Sequence, residues 1–213
     1  MTAALVIVTL SQFALVAAAP ANRTLVKVDE ASKRPDFLAF RGQLQQIVAK
    51  RDVQALFRIV HPQIKIGFGG DDGVAAFRRI WRLEQGDSEL WRELGAILSL
   101  GGTFRDANTF VAPYVFSRWP DDLDAFDYVA LTGAGVRVRA GPSIDARPLA
   151  TLTYALLERG DDKGERRPWT PVVLPDGRKG FVSSDFVRSP VDYRAFFNHI
   201  DGRWQLTLLV AGD

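Results

Sequence analysis

The chain has 213 residues, of which 47% are hydrophobic, and a formal net charge of +2 from 27 basic and 25 acidic side chains. This composition is typical of a globular protein with one large or two small domains, and such a balanced charge argues against DNA or an anionic membrane surface as the partner. The chain has no cysteine, which excludes disulfides, thiolate nucleophiles and cysteine-bound metals.

The first 21 residues carry no charged side chain and end in the small residues Ala19-Pro20-Ala21. They predict a signal peptide over residues 1–21, cleaved before Asn22, and hence a periplasmic or secreted protein with no stable membrane span after cleavage. The positive segment that usually opens a signal peptide is missing. An uncleaved membrane anchor, in which Ser11 and Gln12 would lie near mid-membrane, and a buried cytosolic helix therefore remain as alternatives.

Residues 22–36 are polar and show no periodicity, which predicts a linker. Apolar residues then recur at helical spacing as far as Gly101-Gly102, and four helices are predicted. The predicted N-caps of the last three are, in chain order, Asp52, Asp71 or Asp72, and Asp87 or Ser88. The predicted inward-facing side chains are Phe37, Phe40, Leu44, Ile47, Val48, Val53, Leu56, Phe57, Val60, Val74, Phe77, Ile80, Trp81, Leu90, Trp91, Leu94, Ile97 and Leu98.

The second half of the chain has short alternating runs separated by Gly, Pro and Asp, a pattern typical of β structure. Strands are predicted at 64–68, 109–116, 128–131, 136–138, 149–157, 170–174, 180–182 and 204–210. Asp201-Gly202 predicts a two-residue hairpin turn near the C-terminus. Because such a hairpin is too short to be stable alone, we expect it to pair with the strands at 64–68 and 109–116.

Two hairpin signals carry a family resemblance. The stretch GVRVRAGPS beginning at Gly135 is followed by LATL, and Trp169 is followed by DGRKGFV and by Phe186-Val187. In this order and spacing, residues 127–189 resemble a bacterial SH3 (SH3b) domain, which implies a small β-barrel. Phe181 stands where the family commonly has tryptophan, and the loop at 160–167 is long and highly charged. Both departures put an inherited ligand site in doubt.

The predicted fold class is therefore α+β, with a helical N-terminal domain that has a small sheet, plus an SH3-like β-barrel. Residues 37–126 form the first domain, which the hairpin at 190–213 completes, and the SH3b barrel at 127–189 is an insertion. A helical lobe followed by such a hairpin also resembles, loosely, the small cone folds of the NTF2-like kind.

The stretch GFGGDDG at 67–73 resembles a dinucleotide loop, but Asp72 stands where the third glycine is required. The aspartates do not have the spacing of a calcium loop, and no G-x-S-x-G elbow occurs. His61 and His199 are expected to be capping or surface residues. We therefore expect no enzymatic activity, no cofactor and no metal site.

The resemblance implies a binding protein whose SH3b barrel recognises a peptide-like ligand, either a cell-wall peptide or an envelope protein. SH3-like barrels can also bind nucleic acid, but the balanced net charge and the predicted export argue against that partner here. The expected ligand-binding residues are Arg139, Ser143, Tyr154, Trp169, Asp176 and Phe181. In the alternative, the α+β domain binds or transforms a small ligand and the barrel is scaffolding. A third interpretation treats both domains as an assembly surface.

Overall fold

The computed structural model describes residues 23–70, 72–161 and 168–212. The predicted signal peptide lies outside these ranges. The fold is α+β, as predicted, with helices and two open β-sheets of five and seven strands. The helices are α1 (Pro35–Lys50), α2 (Val53–Phe57), α3 (Val74–Ile80), α4 (Leu90–Ser99) and α5 (Tyr114–Ser117).

The five-stranded sheet joins three strands from residues 60–112 to the C-terminal hairpin. Its strands are β1 (Val60–Lys65), β2 (Thr103–Asp106), β3 (Thr109–Ala112), β11 (Arg194–Ile200) and β12 (Arg203–Val210), in the order β1-β12-β11-β3-β2. The C-terminal hairpin thus lies in the middle of the sheet, where β12 pairs with β1 and β11 pairs with β3. The strand predicted at 64–68 is observed at Val60–Lys65. The turn of the hairpin, Asp201-Gly202, has positive φ at both residues, as a two-residue hairpin of this kind requires.

Apolar faces of α1 and α4 pack with this sheet around one aromatic cluster. The Phe37 ring lies with its centroid 4.2 Å from that of Phe110 and 4.9 Å from that of Trp204. The indole Nε1 of Trp204 also donates a hydrogen bond of 2.9 Å to Asp36 at the start of α1. The helix therefore begins where a side chain of β12 fixes its first turn.

Several predicted boundaries and caps are wrong. The Asp52 carboxylate caps α2 as predicted, accepting from Ala55 N at 2.9 Å, but α3 begins after Gly73 without a side-chain cap. Asp72 instead accepts from Ile66 N and pairs with Lys65. Asp71 lies outside the described residues. Helix α4 begins after Glu89, and the Ser88 hydroxyl accepts from Leu90 N at 3.4 Å.

Other predicted boundaries and inward-facing positions also differ from the structure. Val60 opens β1 and does not lie in α2, and Ile80, predicted to face inward, is 50% exposed. Pro62 lies within β1, which is tolerated because β1 is an edge strand. The strand predicted at 109–116 ends at Ala112, before Pro113, and the following residues form α5.

The seven-stranded sheet contains β4 (Tyr128–Leu131), β5 (Val136–Arg139), β6 (Pro148–Leu152), β7 (Leu156–Arg159), β8 (Trp169–Val173), β9 (Lys179–Ser183) and β10 (Val187–Arg188). Their order is β10-β4-β7-β8-β9-β5-β6, and the edge strands β10 and β6 do not pair with each other. The sheet is therefore open, and the predicted SH3-like barrel is not confirmed. The run predicted as one strand at 149–157 is two strands, since the chain turns at Tyr154 with φ of 49°.

One cluster of buried side chains covers a face of this sheet. Val136, Val138, Val172 and Val182 are each at most 5% exposed and belong to it, with residues from β4, β6 and β7. Arg137 is exposed between the two buried valines of β5, as the alternation of the sequence predicts. The positions expected to be apolar and inward in this half are thus buried.

Residues 23–36, expected to be a linker without pattern, contact both sheets. Leu25 N donates to Tyr154 O at 2.8 Å, and Glu30 N donates to Gly102 O at 2.9 Å. Leu25 also packs in a small cluster with residues of α5, β4 and β7. These residues show no periodicity in the sequence because they bond to two different sheets rather than to one repeating element.

Candidate functional site

A cavity of about 580 Å³ lies between α4 and the seven-stranded sheet. One wall is formed by Arg92, Glu93 and neighbours of α4, and a second by the first residues of β8 together with Ser184 and Asp185. The floor comes from the chain between β10 and β11. A space of this size accommodates a small organic ligand or a short peptide.

Glu93 is the central acidic group of this cavity, and its side chain is only 6% exposed. Its Oε1 lies 3.1 Å from Arg92 Nη2, and its Oε2 lies 3.5 Å from Arg188 Nη1. Glu93 faces inward because it falls on the apolar stripe of α4, between Leu90 and Ile97. Two guanidinium groups compensate for the loss of water around this buried carboxylate.

Arg188 joins β10 to the start of β11. Its Nη2 donates a 2.6 Å hydrogen bond to Tyr193 O, and its Nε lies 3.6 Å from Asp192 Oδ2. Asp192 in turn accepts from Ser189 N at 3.0 Å, which closes the turn between the strands. Burial, and then the charges of Glu93 and Glu89, raise the pKa of the Tyr193 phenol above its usual value.

The wall formed by the seven-stranded sheet carries an aromatic ring and hydroxyl groups. Trp169, at the start of β8, is half-buried and lines the cavity. The next residue, Thr170, shares a 2.8 Å hydrogen bond with the Ser184 hydroxyl, and Ser184 N donates to Pro168 O at 2.9 Å. These bonds join the start of β8 to the end of β9 and fix the indole beside the cavity.

Arg159 closes the same cavity from β7. Its backbone N donates to Asp127 O at 2.7 Å, which anchors the end of the strand. Its side-chain Nε is buried and has no hydrogen-bond partner in the described part of the chain. Arg188 Nε is likewise buried without a hydrogen bond, so the difference lies in the ion pairs: Arg92 and Arg188 face carboxylates, and Arg159 pairs with none among the described residues.

The structure distributes the six predicted ligand-binding residues over several places. Arg139 and Phe181 are directly paired on β5 and β9. The Arg139 side chain is buried and donates to Ala146 O at 2.8 Å, in the loop that contains Ser143. The loop around Ser143 is exposed and is held by Asp145 N, which donates to the Ser143 hydroxyl at 3.2 Å.

Of the six, Trp169 alone lines the 580 Å³ cavity. Asp176 occupies the turn at the opposite end of the β8–β9 hairpin, where it pairs with Arg178 at 2.8 Å. Tyr154 lies in the turn between β6 and β7 and contacts the N-terminal segment through its backbone. The six residues therefore do not form one groove, and their ligand-binding role stays a prediction.

Sequence reasoning missed the residues that carry most of the charge in the cavity. Glu93 gave a usable signal, because it is a carboxylate at an inward-facing position of an amphipathic helix. No local sequence pattern indicated Arg159 or Arg188, because each lies at the end of a short strand and its neighbours in space belong to other elements. The apposition of α4 with the seven-stranded sheet could not be deduced from local pattern.

A second cavity of about 410 Å³ lies beside α3 and is lined by Trp81, Ser88 and Tyr193, among others. Within residues 23–70, 72–161 and 168–212, no group of three or more His, Asp or Glu is arranged to hold a metal ion. No helix in these same ranges has both the length and the apolar character needed to cross a membrane.

Comparison of the chain with family models found no match. Comparisons with curated proteins and with solved structures likewise found none. The interpretation of the cavity therefore depends on its own geometry and chemistry.

Proposed function

We propose that this chain is a non-enzymatic, exported binding protein whose seven-stranded sheet, an SH3b-like unit, recognises a peptide-like ligand of the cell envelope. The observation that carries the proposal is the 580 Å³ cavity in which Trp169 of the sheet faces α4. Cell-wall peptides are the favoured ligand, and an envelope protein is the second candidate.

The SH3b-like interpretation is supported by the way the sheet buries its core. Side chains from β4, β5, β6, β7, β8 and β9 enter one apolar cluster, against which Val187 of β10 also packs. A single sheet can gather side chains from both of its edges in this way only if it is strongly curled. The hairpins of the resembling sequence motifs are both present, as β5–β6 and β8–β9.

A peptide-like ligand suits the chemistry of the cavity. An indole ring gives a flat apolar surface with an N–H donor at its edge, and Thr170 and Ser184 add hydroxyl groups that can donate or accept. Peptides present alternating amide donors and acceptors together with small apolar side chains. Such ligands match a wall that combines one aromatic ring with several hydrogen-bonding groups.

The two histidines lie away from this cavity. His61 lies in β1, where its Nδ1 accepts from Gln63 N at 3.1 Å, and His199 lies in β11 beside the Trp204 ring. Both belong to the five-stranded sheet, and neither lines the cavity. An imidazole base is therefore not available to a ligand bound there.

Sedimentation with purified peptidoglycan tests the proposal. The wild-type protein should pellet with the wall material at a salt concentration that removes a non-binding control protein, and Trp169→Ala should reduce the pelleted fraction at least tenfold. Phe126→Ala is the matched control, because Phe126 is an aromatic residue that is 53% exposed and does not line the cavity. The proposal fails for cell-wall peptides if the wild type stays in the supernatant or if both variants behave alike.

Export is tested separately by N-terminal sequencing of the mature protein. A chain that begins at Asn22 and is recovered from the periplasmic or secreted fraction supports the proposal. A full-length chain confined to the cytosol contradicts it.

The alternative, a small ligand held in an NTF2-like cone, has less support from the packing. The rings of Phe37, Phe110 and Trp204 fill the space between α1 and the five-stranded sheet, where such a ligand would have to bind. Mass spectrometry that found a small molecule co-purifying with the protein would favour this alternative.

A further inference from the structure

We infer that Arg159 binds a carboxylate of the ligand, so that the peptide recognised in the 580 Å³ cavity is one with a free carboxylate. This inference rests on the proposed function and specifies the chemistry of its ligand. It follows from the charges that line the cavity.

Two of the three arginines in this cavity are already paired. Arg92 contacts Glu93 at 3.1 Å and Glu89 at 3.4 Å. Arg188 has Glu93 at 3.5 Å and Asp192 at 3.6 Å, and it also donates to a backbone carbonyl. The carboxylates of α4 and of the β10–β11 connection are thus occupied by these two guanidinium groups.

Arg159 is left without a carboxylate within the described ranges. Its Nε, sealed from solvent, donates to no acceptor there, although a buried guanidinium N–H normally has a partner. Asp185 also lines the cavity, but its side chain is exposed, and water can therefore solvate its charge. Arg188 Nε is also buried without a hydrogen bond, but it lies 3.6 Å from Asp192 Oδ2. Among the arginines that line the cavity, Arg159 thus differs in having no ion pair with a carboxylate of the described residues.

A carboxylate is the group that best completes this arrangement. The planar guanidinium presents parallel N–H donors whose spacing fits the two oxygens of a carboxylate, and charge-assisted bonds of this kind are about twice as strong as neutral ones. Trp169 lines the same cavity from the neighbouring strand, so a ligand can place its acid group at Arg159 and an apolar side chain against the indole. A short peptide with a free C-terminus has both groups.

The test compares two peptides that differ only at the carboxylate. The probes are N-acetyl-alanyl-alanine with a free C-terminus and the same dipeptide as its C-terminal amide, titrated into the full chain. The Nε–H signal of Arg159, assigned through Arg159→Lys, is followed by NMR. We expect a saturable shift with the free acid and at least tenfold weaker binding of the amide.

Variants test whether Arg159 causes the preference for the free acid over the amide. Arg159→Gln should abolish the preference for the acid, and Arg159→Lys should restore part of it. Arg137→Gln should leave the preference unchanged, because Arg137 lies exposed on the same sheet and does not line the cavity. Inorganic phosphate at the same concentration should not displace the acid dipeptide.

The outcomes separate this inference from the proposed function. Equal binding of acid and amide, no saturable shift with the acid, or displacement by phosphate would overturn the assignment of Arg159. If Arg159→Gln still sediments with peptidoglycan as the wild type does, the wall-binding function stands and the carboxylate contact is refuted. If the acid dipeptide binds through Arg159 while the wild type fails to sediment, the carboxylate contact stands and the wall-binding function is refuted.

Discussion

Arg188 and Glu93 form an ion pair between the two halves of the fold, with 3.5 Å between Arg188 Nη1 and Glu93 Oε2. Arg188 belongs to β10 of the seven-stranded sheet, and Glu93 belongs to α4, which packs with the five-stranded sheet. Their side chains are only 8% and 6% exposed. The pair therefore fixes the position of α4 at the edge of the cavity.

Removing one member of this pair should be costly. Arg188→Met removes one guanidinium partner of the buried Glu93 carboxylate, and we expect the free energy of unfolding to fall by about 3 kcal/mol. Urea denaturation at neutral pH measures the loss. Arg178→Met is the matched control, since its pair with Asp176 is largely exposed and should contribute less than about 1 kcal/mol. Equal losses in the two variants would show that the buried pair is not a stabilising link.

Deletion of the C-terminal hairpin should unfold the five-stranded sheet. Strands β11 and β12 lie between β1 and β3, so a chain that ends at Pro190 loses these two strands and two of the aromatic partners of Phe37, Phe197 and Trp204. Circular dichroism and thermal melting should show loss of helix and of the cooperative transition. Unchanged helicity and melting temperature would contradict the observed strand order.

The Tyr114 hydroxyl is buried without a hydrogen-bond partner among the described residues, and burial raises the pKa of this phenol to about 12. Tyr114→Phe removes that unsatisfied group, and we expect the free energy of unfolding to rise by about 1 kcal/mol. Because the folded pKa lies above the unfolded value of about 10, the wild type should also lose stability as the pH rises above 10. Chemical denaturation at pH 7 and pH 10.5 measures both effects. A phenylalanine variant less stable than the wild type at both pH values would show that the hydroxyl is satisfied.

Gly180 permits close approach of β9 and β5. A Cβ at this position would lie 2.5 Å from Val138 Cγ1 and 3.0 Å from Arg139 O. Gly180→Ala should therefore cost about 2 kcal/mol through overpacking. Gly42→Ala is the control, because nothing lies within 4 Å of a Cβ there and alanine favours helix α1. Thermal melting should show a loss for Gly180→Ala and a small gain for Gly42→Ala, and equal effects would contradict the packing of β9 against β5.

Local pattern predicted the elements whose burial alternates regularly. In β5, Val136 and Val138 are buried on either side of exposed Arg137, and in α1 the inward stripe from Phe37 to Val48 is buried as expected. The dipeptide Asp201-Gly202 predicts the hairpin turn correctly, because a two-residue hairpin is closed by only a narrow range of backbone conformations, which Asp-Gly favours. Alternating burial and turn residues depend on neighbours in the sequence, and a single sequence is enough to recognise them.

The cavity could not be predicted, because its residues are brought together by contacts distant in sequence. Glu93 and Arg188 are far apart in the chain, and nothing local to either indicates the other. The prediction that Asp72 caps α3 is wrong for a related reason. The Asp72 carboxylate pairs with Lys65 and accepts from Ile66 N, and therefore does not bind the first turn of α3. The strand order and the open edges of the seven-stranded sheet likewise depend on pairing between strands that are not consecutive.

The most direct test of the account is backbone hydrogen exchange of the full chain with and without soluble peptides released from peptidoglycan. We predict slower exchange in three segments that line the cavity: α4, the start of β8, and the connection from Arg188 to Tyr193. The turn around Asp176 and the loop around Ser143 should not change. Protection confined to those two loops, or no protection in any segment at saturating peptide, would contradict a peptide site between α4 and the seven-stranded sheet.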